Sequence, residues 1–192
     1  MKIRAFALLA GALAIATAFG QGSSTIRSKH SLSVASSANM HRIPPTAGVS
    51  RTDVTFLRTA AVVHMAEIQI GQLAQRNGAT WGRGYGHDME REHMIALNEL
   101  KKLAKNKGVS LPTGIDSKHE KLLAKLSHQR GQAFDNAYRN AMIAGHSDVL
   151  KKLAAEMQHG RDSAVREYAV KLEPDVKMHR RMALEKMTMM DH

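Results

Sequence analysis

Four ionisable side chains in this sequence are spaced as they would be to share a site inside a helical bundle. Glu67, His93, His146 and His179 each fall on the apolar stripe of a different predicted helix. Burying such groups is unfavourable unless they find partners, because desolvation disfavours the charged form. We therefore expect the four side chains to meet one another, water or a metal ion.

Local spacing strengthens the metal hypothesis. Glu90 and His93 are three residues apart, a Glu-x-x-His step that places a carboxylate and an imidazole on one helical face and can hold a metal ion in bundle cores. His64 and Glu67 repeat the step in reverse order. These ligand types suit zinc, iron or copper, and affinity alone does not choose among them. The predicted metal ligands are Glu67, His93, His146 and His179, with Glu90 or Glu92 assisting.

The same side chains allow a reading without metal. A buried hydrogen-bond network would fix the register of the helices. Nucleophilic catalysis has little support, because the sequence has no Cys and no G-x-S-x-G motif. Our first interpretation is therefore a non-catalytic envelope or stress-related protein, and the alternative is a protein that binds a transition-metal ion through the Glu/His cluster.

The elements that position these residues are helices. Apolar residues recur at helical spacing, and the chain has few aromatic residues. The predicted fold is all-α, a four-helix bundle with an extra short helix between the second and third long helices. The glycine-rich segment 81–86 lacks a P-loop Lys and is interpreted as a loose entry into the second helix. The predicted helices cover about 52–77, 86–107, 117–129, 131–158 and 162 onward, the last with a kink at Pro174.

The height of each residue along the bundle axis, counted from the nearest turn, indicates whether the four side chains can meet. Glu67 and His93 each lie about ten residues from the turn between their helices, so at about 1.5 Å per residue they share a level. His146 and His179 lie about 13 and about 18 residues from the break near residue 160, so they are staggered by several ångströms. The second pair therefore needs an offset between its helices to join the first.

The N-terminal region predicts export. Lys2 and Arg4 precede an apolar run at 5–19, and small residues flank a plausible cleavage site before Gln21. Residues 1–20 are therefore predicted to be a secretory signal peptide and residues 21–50 a disordered Ser/Ala-rich tether. The bundle domain is predicted at 51–192, in the periplasm or outside the cell.

Charge and hydropathy limit the partners. The formal charge is +11, and +9 remains without Lys2 and Arg4, which favours weak electrostatic contact with anionic envelope surfaces. No segment combines basic residues with stacking aromatic residues, so we expect no nucleic-acid partner. No apolar stretch after residue 20 is long enough to cross a bilayer.

The order of several motifs resembles the domain-of-unknown-function 4142 family over residues 51–186. The first motif is Glu67-Ile68-x-x-Gly71-x-Leu73-Ala74, and the second is Met89-x-x-Glu92-His93 followed by Asn98-Glu99-Leu100. The remaining motifs are Phe134-Asp135-x-x-Tyr138 with His146, and His179 after Pro174.

The resemblance implies a ferritin-like four-helix fold in exported, mostly bacterial proteins without an established activity. The positions that match the family's His and acidic residues are Glu67, His93, Asp135, His146 and His179. The second Glu-x-x-His of di-iron ferritins is missing, because Val176 stands where its Glu would be. Iron oxidation or storage is therefore not expected.

Overall fold

The structure is a computed structural model that describes residues 48–188, with side chains given as far as residue 185. Every regular element in this range is a helix, and the predicted all-α, ferritin-like four-helix bundle with an additional short helix is confirmed. The signal peptide predicted at 1–20 and all but the last three residues of the predicted tether lie outside the described residues. The helices are α1 (Arg51–Asn77), α2 (Thr80–Asn106), α3 (Ser117–Ser127), α4 (Gly131–His159) and α5 (Ser163–Thr188).

The four long helices form two hairpins. Gly78 and Ala79 join α1 to α2, and residues 160–162 join α4 to α5. These two pairs share the most extensive contacts, and α3 packs against α1 and α4 on the way between them. Within residues 48–188 no helix is both long and apolar enough to span a bilayer.

The glycine-rich segment 81–86 is helical, which corrects the predicted start of the second helix. That helix begins at Thr80 rather than near residue 86. The cause is Asp135 on α4, whose carboxylate accepts hydrogen bonds from the backbone N–H groups of Ala79 and Gly82, each at 3.0 Å. A carboxylate from another helix thus satisfies N–H groups that a side chain within the segment would otherwise have to cap.

Two glycines allow α1 and α2 to approach closely. A Cβ at Gly86 would lie 2.6 Å from the Cβ of Ala74 and 2.8 Å from the backbone oxygen of Gly71. A Cβ at Gly71 would lie 2.6 Å from the backbone oxygen of Gly86. The first hairpin therefore depends on backbone contact at Gly71 and Gly86. Any larger residue at either position would force α1 and α2 apart.

A buried carboxylate also ties the two hairpins together. Asp53 forms a capping box with Ser50 at the start of α1. The Oδ1 atom of Asp53 accepts hydrogen bonds from the backbone N–H groups of Arg161 at 2.9 Å and Asp162 at 3.3 Å. The start of α1 is thereby attached to the turn between α4 and α5.

Pro174 lies inside α5, which continues through it.

The apolar interior is divided into two clusters. The first contains Phe56, Leu57 and Leu100 with much of the N-terminal half of α5, and the second contains Met89 and Tyr138 with residues from α1, α3 and α4. Each long helix contributes to both clusters. The side chains between the two clusters are the ionisable ones described below.

The close approach of α1 and α2 predicts a large effect of a single methyl group. We expect Gly86→Ala to lower the free energy of unfolding by about 1–3 kcal/mol, because the added Cβ overlaps the backbone of α1. Urea denaturation would measure this change. Gly84→Ala is the matched control, since nothing lies within 4 Å of its Cβ, and it should stabilise α2 by about 0.5–1 kcal/mol. Equal effects of the two substitutions would contradict the packing described here.

Candidate metal centre

A layer of ionisable side chains crosses the bundle between the two apolar clusters. We call it the polar layer, and its members are His64 and Glu67 on α1, His93 on α2, His146 on α4 and His179 on α5. All five are at most 7% exposed. On each helix the layer residues lie between the positions that join the first cluster and those that join the second. The four long helices therefore bring ionisable groups to one level of the core.

Three imidazoles of the polar layer lie close enough to share one metal ion. A ring nitrogen from each of His93, His146 and His179 lies within 4.8 Å of the other two. The ring centroids of His146 and His179 are 5.4 Å apart, and those of His93 and His179 are 5.7 Å apart. The stagger predicted between His146 and His179 therefore does not prevent their contact.

The hydrogen bonds of His146 and His179 orient one nitrogen of each toward acceptors outside the centre. The Nδ1 atom of His146 donates to the backbone oxygen of Met142 at 2.8 Å, since a carbonyl oxygen only accepts. The Nε2 atom of His179 donates to Glu92 Oε2 at 2.6 Å. The other nitrogens, His146 Nε2 and His179 Nδ1, have no hydrogen-bond partner among the described residues. In the neutral tautomers these two nitrogens carry free lone pairs.

A longer chain of hydrogen bonds sets the tautomer of His93. The hydroxyl of Tyr168 donates to the backbone oxygen of Ala96 at 3.1 Å, so it accepts the hydrogen bond from His64 Nε2 at 2.9 Å. His64 Nδ1 then carries the lone pair and accepts from His93 Nδ1 at 2.9 Å. The proton of His93 therefore lies on Nδ1, and its unpartnered Nε2 carries a lone pair. The tautomers follow from the acceptor at the end of the chain.

Burial keeps the imidazoles of His64, His93 and His146 neutral. Desolvation lowers the pKa of His64 and of His146 to about 4. Desolvation, with smaller contributions from the neighbouring imidazoles, places the pKa of His93 well below its usual value. Metal ions bind the neutral form of imidazole, so the folded protein holds His93 and His146 ready at neutral pH without having to remove a proton from them.

Each of the three imidazoles also has the outer partner that metal-bound histidines commonly have. These partners are a histidine in the case of His93, a backbone carbonyl in the case of His146, and a carboxylate in the case of His179. Such contacts fix the orientation of the ring and raise its basicity. Three nitrogen ligands leave at least one coordination position of a Zn²⁺ or Cu²⁺ ion open.

Glu67 lies beside this centre but outside the group of three nitrogens. Its side chain lines the same cavity as His93 and His146, and its Oε2 atom has no hydrogen-bond partner among residues 48–185. Desolvation raises the pKa of Glu67 to about 8, so its carboxyl is mostly protonated at neutral pH. The Glu67 carboxyl therefore lies at the edge of the centre with an unpartnered Oε2 atom.

The structure separates the two carboxylates of the Glu90-Arg91-Glu92-His93 segment. Glu90 does not join the three nitrogens, and it accepts hydrogen bonds from Gln72 at 2.8 Å and Gln75 at 2.6 Å on α1. Glu92 contacts His179 instead. Asp135, which also matches an acidic position of the family that the sequence resembles, accepts hydrogen bonds from backbone N–H groups at the start of α2. Of the predicted ligands, the fold thus gathers His93, His146 and His179, with Glu67 beside them.

Comparison with known proteins adds a family and a fold. The sequence model of a family described as "Domain of unknown function (DUF4142)" matches residues 38–185. The chain belongs to the DUF4142 family. Among solved structures it is similar to the crystal structure of a DUF305 fragment from Deinococcus radiodurans, with 13% sequence identity and a TM-score of 0.64. The match covers 74% of this chain and 97% of that one, and at this identity it shows the fold alone. No curated protein matches this DUF4142 chain.

Two side chains of the centre carry roles that sequence reasoning did not assign. Tyr168 precedes His179 by 11 residues, about three helical turns, and so lies on the same face of α5. His64 stands out in the sequence only by its spacing from Glu67. Both act through His93, and the signal that would have found Tyr168 is a hydroxyl-bearing aromatic residue on an otherwise apolar stripe.

The buried carboxyl of this DUF4142 protein predicts a pH-dependent stability. Because the pKa of Glu67 is about 8 in the folded state and 4.5 for an ordinary exposed glutamate, ionisation favours the unfolded state as pH rises from 4.5 to 8. Glu67→Gln cannot ionise. We expect its stability relative to wild type to increase over this range, by on the order of 2–4 kcal/mol.

Urea denaturation of the metal-free proteins at pH 5, 6, 7 and 8 measures this difference. Glu167→Gln, at an exposed position of α5, is the control and should follow wild type at every pH. A constant offset between Glu67→Gln and wild type across the range would show that Glu67 is not protonated in the folded protein.

Proposed function

We propose that this protein is an exported, non-catalytic helical bundle that binds one divalent transition-metal ion through His93, His146 and His179. Two observations carry the proposal: a ring nitrogen of each imidazole lies within 4.8 Å of the other two, and each imidazole has one nitrogen without a hydrogen-bond partner among the described residues. Each opposite nitrogen is satisfied by a protein partner.

The unpartnered nitrogens favour a metal over a purely structural network. In a network that only fixes helix register, buried polar atoms are paired with one another, because an unsatisfied buried group costs about 1–3 kcal/mol. Here each of the three imidazoles has one paired nitrogen and one that is unpaired among the described residues. A cation at the centre would supply the missing partner to all three at once.

The donor set limits the identity of the ion. Three neutral imidazoles suit Zn²⁺, Cu²⁺ and Fe²⁺, whereas Mg²⁺ and Ca²⁺ prefer oxygen ligands. Among the described residues the group of possible metal ligands consists of three histidines without a carboxylate, and Glu92 is engaged with His179. The centre therefore fits a single ion, with the highest affinity expected for Cu²⁺.

Export is the part of the proposal that comes from the sequence. The basic start, the apolar run and the small residues before Gln21 support a cleaved signal peptide. The net charge of +9 that remains would draw the protein toward anionic envelope surfaces through a long-range, salt-sensitive attraction. In the periplasm or outside the cell, the centre would bind divalent transition-metal ions present there.

Metal analysis of the purified mature protein tests the binding proposal. After incubation with Zn²⁺ or Cu²⁺ and removal of excess metal, we expect about one ion per chain by mass spectrometry. His146→Ala should bind at least tenfold more weakly. Tyr168→Phe, which removes one hydroxyl and leaves all three ligands, should weaken binding by about 10–100-fold because His93 loses the chain that sets its tautomer.

His159→Ala is the matched control, because this exposed histidine at the end of α4 lies outside the centre. Its affinity should equal that of wild type, and circular dichroism should confirm that all variants are folded. Wild-type protein that stays free of Zn²⁺ and Cu²⁺ would refute the proposal. Unchanged affinity in His146→Ala would place the ion elsewhere.

The mass of the protein recovered from the cell tests export. We expect the chain in the periplasmic fraction to begin at Gln21, because the apolar run directs secretion and is then removed. A variant with Lys2 and Arg4 changed to Glu should be exported less efficiently. Recovery of the uncleaved chain from the cytoplasmic fraction would contradict the prediction.

A further inference from the structure

A groove between α1 and α4 leads from the protein surface to the metal centre. Its cavity has a volume of about 420 Å³, within the range of small-molecule sites. We call it the α1–α4 groove. Its apolar wall consists of Phe56, Ala60, Val63, Val149, Leu153 and Val176. The two helices that border it share far fewer contacts than either hairpin does, which leaves this space unfilled.

The inner end of the groove is formed by the polar layer. His93, His146 and Glu67 line it, and each carries an atom without a hydrogen-bond partner among the described residues. His179 does not line the groove. An ion held by the three imidazoles would therefore be approached from the side of His93 and His146, with the Glu67 carboxyl next to the approaching group.

The outer end of the groove is basic. Arg51 and Lys152 line it, and both side chains are exposed. Glu156 lines it too, but burial and the neighbouring Asp53 raise the pKa of Glu156 to about 7, so it carries less than a full charge at neutral pH. A negatively charged molecule would thus be attracted at the entrance and, once a cation is bound, also at the inner end.

We propose that the α1–α4 groove binds an aliphatic monocarboxylate whose carboxylate occupies the open coordination position of the metal ion and whose alkyl chain lies along the apolar wall. This inference rests on the proposed metal centre. The carboxylate would lie beside the Glu67 side chain and complete the charge balance of the ion. The alkyl chain would cover apolar surface that the helices leave open.

The chemistry of the groove favours this occupant over others. A neutral apolar molecule would leave the open metal position unfilled and would gain nothing from Arg51 and Lys152 at the entrance. A cavity of about 420 Å³ is too small for a helix of a second copy, whose diameter with side chains is about 10–12 Å. A medium-length fatty acid meets both the apolar wall and the polar ends.

The test uses Co²⁺-loaded mature protein, because the visible absorption of Co²⁺ reports its coordination. Acetate, butanoate, hexanoate and octanoate are titrated against this signal. Each added methylene buried in the groove should strengthen binding about fourfold. Ala60→Phe fills the groove and should weaken octanoate binding at least tenfold, with little change for acetate or for Co²⁺ itself. Ala133→Phe, at an exposed position of α4, is the control.

The possible outcomes are distinct. Loss of Co²⁺ binding in wild type would refute the metal centre and this inference together. If wild type binds Co²⁺ but has equal affinities for all four acids, the metal centre is supported and the proposed binding of the alkyl chain in the α1–α4 groove is wrong. Octanoate that binds metal-free protein as tightly as loaded protein would show that the carboxylate is not on the ion. If the sole effect of octanoate is to dissociate a dimer of the protein, as measured by sedimentation, the groove is an interface between copies and the inference is wrong.

If Ala60→Phe does not fold by circular dichroism, Val63→Leu provides a milder obstruction of the same wall. It should weaken octanoate binding severalfold and leave acetate binding unchanged. Octanoate affinity equal to wild type in Val63→Leu would then overturn the inference.

Discussion

The fold is constrained by the need to satisfy a layer of ionisable side chains in the middle of an apolar core. His93, His146 and His179 can be buried because each donates one N–H to a protein acceptor. The acceptor lies on another helix for His93 and His179, and one turn earlier in α4 for His146. Desolvation keeps His93 and His146 neutral, which avoids repulsion between them. The arrangement leaves the second nitrogen of each ring without a hydrogen-bond partner among the described residues, and this single feature turns a structural polar layer into a candidate metal centre.

The two hairpins meet this constraint differently. Within the first, Gly71 and Gly86 bring α1 and α2 into backbone contact, which sets His64 and His93 at hydrogen-bonding distance. Between the hairpins, α1 and α4 are held apart, and the α1–α4 groove reaches the polar layer. Tight packing on one side therefore fixes the tautomers, and loose packing on the other side gives access. A bundle packed equally tightly on every side would enclose the layer completely.

Most of the fold follows from local sequence patterns. The bounds of α1, α3, α4 and the start of α5 agree with the predicted helices within a few residues, because caps and apolar periodicity act over short distances. The exception is the start of α2. A segment with glycine at 82, 84 and 86 has low helix propensity, and only the carboxylate of Asp135, about 50 residues later in the chain, stabilises it as a helix.

The sequence by itself determined which positions of the core are ionisable, because helical periodicity places Glu67, His93, His146 and His179 on buried faces whatever the neighbours are. Only the tertiary structure decided which of them meet and which atoms remain unpartnered. Glu90 and Glu92 show why. They differ by two positions and point to different sides of α2, so one meets α1 and the other meets His179. Such partnerships depend on the rotation and offset of whole helices, which local spacing does not encode.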